Sequence, residues 1–178
     1  MRIAPATALL LVVDIQERLI TAIGEGPRVV NRAVRVATAA GILGVRAAVT
    51  EQYPRGLGTT PPELAGLLPP PISKMTFSSC GNAEFLAALP ADLATVVLVG
   101  FETHVCIAQT ALDLLARGLD VCIVVDAVAS RHAVDHETAL RRLEGAGAVP
   151  VTSEALIFEW CGTAEHPRFQ ELRRLVLS

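Results

Sequence analysis

The stretch Ala8-Leu9-Leu10-Leu11-Val12-Val13, followed directly by Asp14, sets the pattern on which the fold prediction rests. Apolar runs of the same kind recur along the chain at Val45–Val49, Val96–Val99 and Val121–Val125. A strand that is apolar at every position is typical of a parallel sheet with helices on both faces, because neither face meets water. Each run is therefore predicted to be a buried strand.

Helix-period stretches separate the predicted strands, and they repeat apolar residues on one face. These stretches are Val29–Ala40, Ala83–Leu89, Val105–Arg117 and His136–Glu144. Gly41, Gly118 and Gly147 stand where helices are predicted to end, because glycine readily adopts the left-handed conformation of a helix C-cap. The alternation predicts an α/β protein with three α/β/α layers and a doubly wound, Rossmann-like sheet of six mainly parallel strands.

Length and charge limit the class of protein. The 178 residues are predicted to form one domain spanning 1–178. The formal net charge is −3 and no run of Lys or Arg occurs, so no nucleic-acid partner is predicted, because phosphate binding needs clustered positive charge.

The cysteines and the first apolar run indicate the compartment. Cys80, Cys106, Cys122 and Cys161 are widely separated and form no C-x-x-C pair, unlike the disulfide framework of a small secreted domain. The run that ends at Val13 is too short to span a bilayer, which takes about 20 residues, and lacks a signal-peptide cleavage site. We expect a reduced, soluble, cytoplasmic protein with no membrane partner.

Three polar residues are predicted to meet at one edge of the sheet. Asp14 follows the first strand, and Lys74 ends a short segment after a proline-rich stretch. Cys106 comes shortly after Val96–Val99 and opens the next helix. In an open parallel sheet the carboxyl ends of the strands and the amino ends of the following helices line the binding crevice.

Each of these residues also has a purely structural interpretation. Asp14 could be a helix N-cap, and Lys74 could be a solvated surface charge. Cys106 could be an inert core residue, which is the preferred interpretation for Cys80 and Cys122.

The three residues have complementary chemistry if they meet. A helix amino terminus and the Lys74 ammonium would stabilise a thiolate at Cys106. Asp14 would accept the thiol proton and deliver it to a leaving amine or alcohol. Free amides at the start of the helix would form an oxyanion hole.

Three spaced motifs resemble those of the isochorismatase-like cysteine hydrolases. They are Leu10-Leu11-Val12-Val13-Asp14-Ile15-Gln16, a lysine before Phe77-Ser78, and Val99-Gly100-Phe101-Glu102-Thr103-His104-Val105-Cys106. The resemblance covers nearly the whole chain, and the segments 50–58 and 166–169 are most similar to the isochorismatase domain-containing proteins. The resemblance implies the predicted fold and a catalytic triad of Asp14, Lys74 and Cys106.

The resemblance also implies details around the nucleophile. A non-proline cis peptide is expected at Phe101–Glu102, where it would direct the backbone amides of Glu102 and Cys106 into the oxyanion hole. The chain departs from the family at Glu102-Thr103-His104, where Ala-Thr-Asp is usual. This departure alters the pocket wall and leaves the substrate open.

No metal site and no cofactor are predicted. Nicotinamidases of this superfamily carry an Asp-x-His metal motif where this chain has Thr50-Glu51-Gln52-Tyr53. His132 and His136 stand four apart, but no H-E-x-x-H motif accompanies them. There is also no G-x-S-x-G and no G-x-G-x-x-G after a strand.

Four residues are predicted to line a substrate pocket: Gln16, Tyr53, Phe77 and Thr103. Gln16 could instead sit on the first helix turn, Tyr53 could be an exposed ring, and Phe77 could be a core residue. The stretch Gln52–Pro71, which holds six prolines, is predicted to be an ordered loop near this pocket.

A homo-oligomer, a dimer or tetramer, is expected from the resemblance. An apolar C-terminal segment, Leu172–Leu177, would suit its interface. Trp160, Phe158 and Phe169 are expected to make core or oligomer contacts.

The sequence thus predicts a metal-independent cysteine hydrolase that acts on a small carbonyl compound, amide-like, through a thioester intermediate. Two alternatives remain open at this point. One is a catalytically idle oligomeric scaffold or binding protein, and the other is an oxidant-sensing thiol protein.

Overall fold

A computed structural model describes residues 2–177 of the chain and contains one six-stranded sheet. Its strands are β1 (Ala8–Val13), β2 (Arg46–Gln52), β3 (Ile72–Lys74), β4 (Thr95–Phe101), β5 (Asp120–Ala129) and β6 (Val149–Val151). They lie in the order β3-β2-β1-β4-β5-β6, and every neighbouring pair is parallel. The predicted doubly wound α/β fold is confirmed, with the sheet order reversing between β1 and β4.

Helices cover both faces of the sheet. They are α1 (Glu17–Ala22), α2 (Gly26–Leu43), α3 (Pro54–Leu57), α4 (Pro62–Ala65), α5 (Ala83–Ala88), α6 (Ala108–Ala116), α7 (Ala133–Gly145), α8 (Ser153–Cys161) and α9 (Phe169–Leu177). The α2 and α8 helices pack on one face and α5, α6 and α7 on the other. A π-helix, Thr103–Ile107, leads directly into α6.

Strand β1 packs against the helices on both faces of the sheet and stabilises the core. All six of its residues are buried, and their side chains alternate between the two faces. Leu10 and Val12 pack toward α2, whereas Leu11 and Val13 pack toward α6. Burial of each such side chain stabilises the fold by about 1.5–3 kcal/mol, so the central strand anchors both layers.

Gly100 allows β4 to approach β1 closely beside the end of β1. Its φ of 129° lies in the region that favours glycine, and a Cβ there would lie 1.9 Å from the Val13 carbonyl oxygen. The register between β4 and β5 shifts at the same level, between Leu98 and Gly100. The carboxyl end of β4 therefore lies directly against the residue that precedes Asp14.

The end of α2 differs from the prediction. The helix continues through Gly41 to Leu43, and Gly44 forms the left-handed cap with φ 70°, its amide bonding the Ala40 carbonyl. Gly41 does not stop the helix because α2 residues on both sides of it pack against the sheet, which outweighs the cost of about 1 kcal/mol for a helical glycine.

The C-terminal helix packs within the chain. Leu172 is fully buried against Ala39 and Ile157, and Trp160 lies in the main core. The prediction that Leu172–Leu177 forms an oligomer interface is therefore wrong for the buried residues of α9, because α2 and α8 already cover them. Within residues 2–177, no helix is long and apolar enough to cross a membrane.

Candidate active site

The structure brings Asp14, Lys74 and Cys106 together beside a cavity of about 510 Å³ at the carboxyl ends of the strands. All three residues are buried. The cavity is lined by Asp14, Arg18, Leu19, Ala22, Gln52, Leu57, Phe77, Glu102, Val105, Cys106 and Arg131. Its size falls within the range of small-molecule sites, and its wall is mainly apolar.

Asp14 is held in a strained backbone conformation that turns the chain away from β1. Its φ is 53°, a left-handed value that Asp tolerates better than most residues. Its amide donates to the Thr50 carbonyl (3.1 Å), and its Oδ1 accepts from Thr50 Oγ1 (2.8 Å). The carboxylate is thus fixed by β2, the neighbouring strand.

Lys74 enters the site from the end of β3, and its side chain is fully buried. Its Nζ lies 2.7 Å from Asp14 Oδ2, 2.8 Å from Gln52 Oε1 and 3.0 Å from the Phe77 carbonyl. An ammonium has three N–H donors, so these contacts, with the Thr76 carbonyl at 3.3 Å, occupy all of them. Lys74 also acts on the neighbouring Cys106 thiol, whose pKa is lowered by the charge of the ammonium.

Cys106 lies inside the π-helix, two residues before α6 begins. Burial, with a smaller contribution from the Asp14 charge, raises the pKa of its thiol to about 12, although the Lys74 charge acts in the opposite direction. The Lys74 charge thus favours the thiolate, as expected, but desolvation outweighs it, so the pKa of Cys106 lies above its usual value. The resting site holds a thiol next to a carboxylate.

The backbone before the nucleophile also differs from the expectation. All peptide bonds between the described residues are trans, including Phe101–Glu102, so the predicted cis peptide is wrong. The Glu102 carbonyl accepts from the amides of Val105 (3.0 Å) and Ile107 (3.2 Å) and fixes the start of the π-helix.

Glu102 forms a charged cluster at the wall of the cavity. Its Oε1 accepts from Arg131 Nε at 2.6 Å. Its buried Oε2 lies 3.3 Å from His104 Nδ1 but has no hydrogen-bond partner among residues 2–177. His104 Nδ1 is within 3.0 Å of Ser130 Oγ. The unusual Glu102-Thr103-His104 sequence thus places one ion pair at the cavity and turns the other two side chains away.

Of the four predicted pocket residues, the structure places one at the cavity. Phe77 lines it and is 53% exposed. Gln16, Tyr53 and Thr103 lie elsewhere, so the prediction that they line this cavity is corrected.

Each of the three is held by a neighbour. Gln16 Nε2 donates to the carbonyls of Gln52 (3.0 Å) and Gly58 (2.7 Å), so its buried side chain ties β2 to the proline-rich loop. Tyr53 lies over Gly56, where a Cβ would meet its ring at 2.1 Å. Thr103 is buried with its Oγ1 2.9 Å from His136 Nδ1 of α7.

Four polar residues that contribute to the site were missed. Thr50 and Gln52 contact Asp14 and Lys74, and Arg18 and Arg131 line the cavity. Thr50, Gln52 and Arg131 lie at or just after the ends of β2 and β5. The rule that strand ends line the crevice, applied to those strands, would have found them.

The segment that replaces the nicotinamidase metal motif has a structural role here. Glu51 Oε1 accepts from Thr60 N (2.7 Å) and from Thr60 Oγ1 (2.8 Å), which anchors the proline-rich loop to β2. No group of three His, Cys, Asp or Glu side chains in the described part of the chain is arranged to hold a metal ion.

Comparisons with known proteins agree with this architecture. A sequence profile of the isochorismatase domain matches residues 8–155. Isochorismatase domain-containing protein 2A of Mus musculus is 42% identical over 175 residues, covering 98% of this chain and 85% of the relative. The Homo sapiens isochorismatase domain-containing protein 2 is 41% identical with the same coverage. The structure of MAR1 ribonuclease from Caenorhabditis elegans superposes with a TM-score of 0.94 and 42% identity, over 100% of this chain and 93% of that one. The predicted resemblance is confirmed: the chain belongs to the isochorismatase family.

Proposed function

We propose that this protein is a cysteine hydrolase that cleaves a small amide-like carbonyl compound through a thioester on Cys106. The observation that carries the proposal is the buried Asp14–Lys74 ion pair (2.7 Å) beside the Cys106 side chain at an apolar cavity. No metal or organic cofactor is part of the proposal.

The chemical steps follow from the resting protonation state. As Cys106 Sγ attacks the carbonyl carbon, the thiol proton passes to the Asp14 carboxylate. Asp14 then protonates the leaving nitrogen, the C–N bond breaks, and an amine departs from the thioester. Water attacks the thioester and gives its proton to Asp14. The acid is released, and the sulfur recovers the proton from Asp14.

Lys74 balances charge throughout these steps. Before proton transfer its ammonium faces the Asp14 carboxylate, and after transfer it faces the Cys106 thiolate. The net charge of the three groups stays the same, so no new unpaired charge forms in the buried site. We propose that the backbone amides of Glu102 and Cys106 hold the oxyanion, because both residues border the cavity.

The test is acyl-enzyme trapping on a panel of small amides and activated esters. Intact mass spectrometry should show one acyl adduct, on the peptide that holds Cys106, together with turnover. Cys106→Ala should lose the adduct and about 10³-fold or more of the rate. Cys161→Ala is the matched control, because that buried thiol contacts the Thr163 carbonyl in α8 and its flanking loop, outside the cavity residues. Absence of both adduct and turnover across the panel would overturn the proposal and favour the scaffold interpretation.

Ribonuclease activity is a second candidate, because the 42% identical relative from C. elegans is described as a ribonuclease. The two cavity arginines could contact phosphate, whereas the net charge of −3 opposes binding of a long polyanion. Cleavage of a fluorogenic RNA that disappears in Cys106→Ala would support this candidate. Cleavage that survives the substitution would indicate a contaminating nuclease.

The oxidant-sensing alternative has less support. A thiol reacts with peroxides as its thiolate, and burial raises the pKa of Cys106 to about 12. Rapid, reversible sulfenic acid formation at neutral pH would restore this alternative.

We also propose a cytoplasmic homo-oligomer. The four cysteines are free and buried, which suits a reducing compartment. Met75 is 70% exposed and Tyr53 is 48% exposed on neighbouring loops. These two large, exposed hydrophobic side chains suit an interface between subunits. Light scattering that finds a monomer at every concentration would remove the oligomer.

A further inference from the structure

The charges around the cavity do not cancel. Asp14 is paired with Lys74 at 2.7 Å, and Glu102 is paired with Arg131 at 2.6 Å. The remaining charged residue of the lining is Arg18 of α1. Its guanidinium forms no hydrogen bond or ion pair with any residue from 2 to 177.

The ion pair with Glu102 occupies only part of the hydrogen-bonding capacity of Arg131. Its Nε donates to Glu102 Oε1, while 55% of its side chain remains exposed. A guanidinium has five N–H donors, so most of those on Arg131 remain available at the cavity wall. Arg131 can therefore join Arg18 in binding a ligand without leaving Glu102.

The apolar residues of the cavity wall strengthen the attraction of Arg18 and Arg131 for an anionic ligand. Leu19 and Ala22 of α1 line the cavity next to Arg18, and Leu57, Phe77 and Val105 are also apolar. Arg18 and Arg131 are both exposed to solvent, and a ligand seated against this apolar wall would exclude water from their guanidinium groups, which strengthens their attraction for an anion. A planar guanidinium also matches a carboxylate with two parallel hydrogen bonds.

We infer that the substrate is a singly charged amic acid, with a carboxylate bound by Arg18 and assisted by Arg131, and an amide carbonyl presented to Cys106. The inference rests on the proposed hydrolase function and adds the substrate class. One unpaired positive charge matches one carboxylate. A neutral amide would leave Arg18 without a partner, and a dianion would exceed the available charge.

The test measures binding apart from turnover. Calorimetry on the Cys106→Ala protein compares linear amic acids, such as succinamate and its longer homologues, with the corresponding neutral diamides. At least one amic acid should bind about 10- to 100-fold more tightly than its diamide, as expected for a charge-assisted hydrogen-bonded pair. This preference should weaken as ionic strength rises.

Variants of Arg18 then test whether this residue causes the preference for amic acids over neutral diamides. Arg18→Met keeps the apolar stem and should abolish the preference, whereas Arg18→Lys should retain part of it. Arg173→Met is the matched control, since Arg173 is an exposed arginine on α9, outside the cavity, and should leave the preference intact.

Each outcome has one meaning. Equal binding of acid and diamide, no measurable binding at any chain length, or a preference that survives Arg18→Met would overturn the inference. Tighter binding of inorganic phosphate than of any amic acid would replace the carboxylate with a phosphate. Arg18-dependent binding of amic acids that wild type does not hydrolyse, together with no adduct or turnover on the amide and ester panel, would refute the hydrolase function and leave the binding specificity standing.

Discussion

At the scale of single residues, Asp14 and Lys74 act on the Cys106 thiol in opposite directions. The carboxylate raises the pKa of the thiol and the ammonium lowers it. Because both partners are buried, removal of either one leaves an uncompensated charge, which costs about 3–5 kcal/mol of stability. The same pair therefore serves stability and reactivity.

Substitution of these two residues should separate thiol reactivity from turnover. Asp14→Asn should lower the pKa of Cys106, so alkylation by iodoacetamide speeds up at a given pH below that pKa. Turnover should fall about 100- to 10,000-fold, because the general base is lost. Lys74→Met should raise the pKa of the thiol and slow alkylation.

Peptide mass spectrometry across a pH series measures both effects. Cys80, Cys122 and Cys161 in the same digest are internal references. Alkylation that changes in the same direction in both variants would contradict this account of the site.

At the scale of elements, the π-helix Thr103–Ile107 sets the position of the nucleophile. A π-helical turn, which holds one residue more than an α-helical turn, is frequent at functional sites, because it redirects one side chain without ending the helix. The Glu102 carbonyl holds one end, and the contact between Thr103 Oγ1 and His136 Nδ1 (2.9 Å) ties it to α7.

Two glycine substitutions should have opposite effects on stability. Gly41→Ala, inside α2 with nothing within 4 Å of the new Cβ, should stabilise the protein by about 0.5–1 kcal/mol. Gly100→Ala should destabilise it by more than about 3 kcal/mol or prevent folding, because its Cβ would overlap the Val13 carbonyl.

Urea denaturation followed by circular dichroism compares these variants with wild type. Gly24→Ala, in the turn before α2 and also with nothing within 4 Å of its Cβ, is the control for the unfolded-state effect of replacing a glycine. A stable, active Gly100→Ala protein would show that β1 and β4 can separate at this point.

The sequence predicts elements better than their ends. Strand runs such as Val96–Val99 were recognisable because burial on both faces removes every polar residue. The end of α2 was placed at Gly41 instead of Leu43, because the packing that carries the helix past a glycine is not visible in local sequence. The π-helix was missed because its sequence has the same apolar spacing as an α-helix.

At the scale of the whole molecule, the sheet order explains why the candidate triad could be predicted. Asp14, Lys74 and Cys106 lie at or after the carboxyl ends of strands that all point the same way, so any doubly wound arrangement brings them to one side. Gln16 and Thr103 share that side but turn toward Gly58 and His136. Sequence position fixes the side of the sheet, whereas side-chain direction depends on neighbours contributed by distant segments.

Stability should fall as the pH rises from 9 toward 12. Burial raises the pKa of Cys106 and of Cys122 to about 12 from the model-compound value of 9.0. In this window the unfolded thiols lose their protons while the folded ones keep them, so the unfolded state binds fewer protons and is favoured. Each thiol contributes a loss of about 1.4 kcal/mol per pH unit.

Denaturation of wild type and Cys122→Ala over this pH range isolates one of these contributions. The difference in unfolding free energy between the two proteins should change with pH by the slope of one thiol, and a pH-independent difference would contradict the raised pKa. The single domain predicted for residues 1–178 requires one cooperative transition in both proteins.

The short strand β3 affects how fast the protein loses activity at elevated temperature. It has three residues, lies at one edge of the sheet and carries Lys74 at its end. Local opening of an edge strand takes far less free energy than global unfolding. Lys74 can thus leave Asp14 while β1 and β4 remain intact, so the half-life of activity at elevated temperature should be shorter than the half-life of the fold.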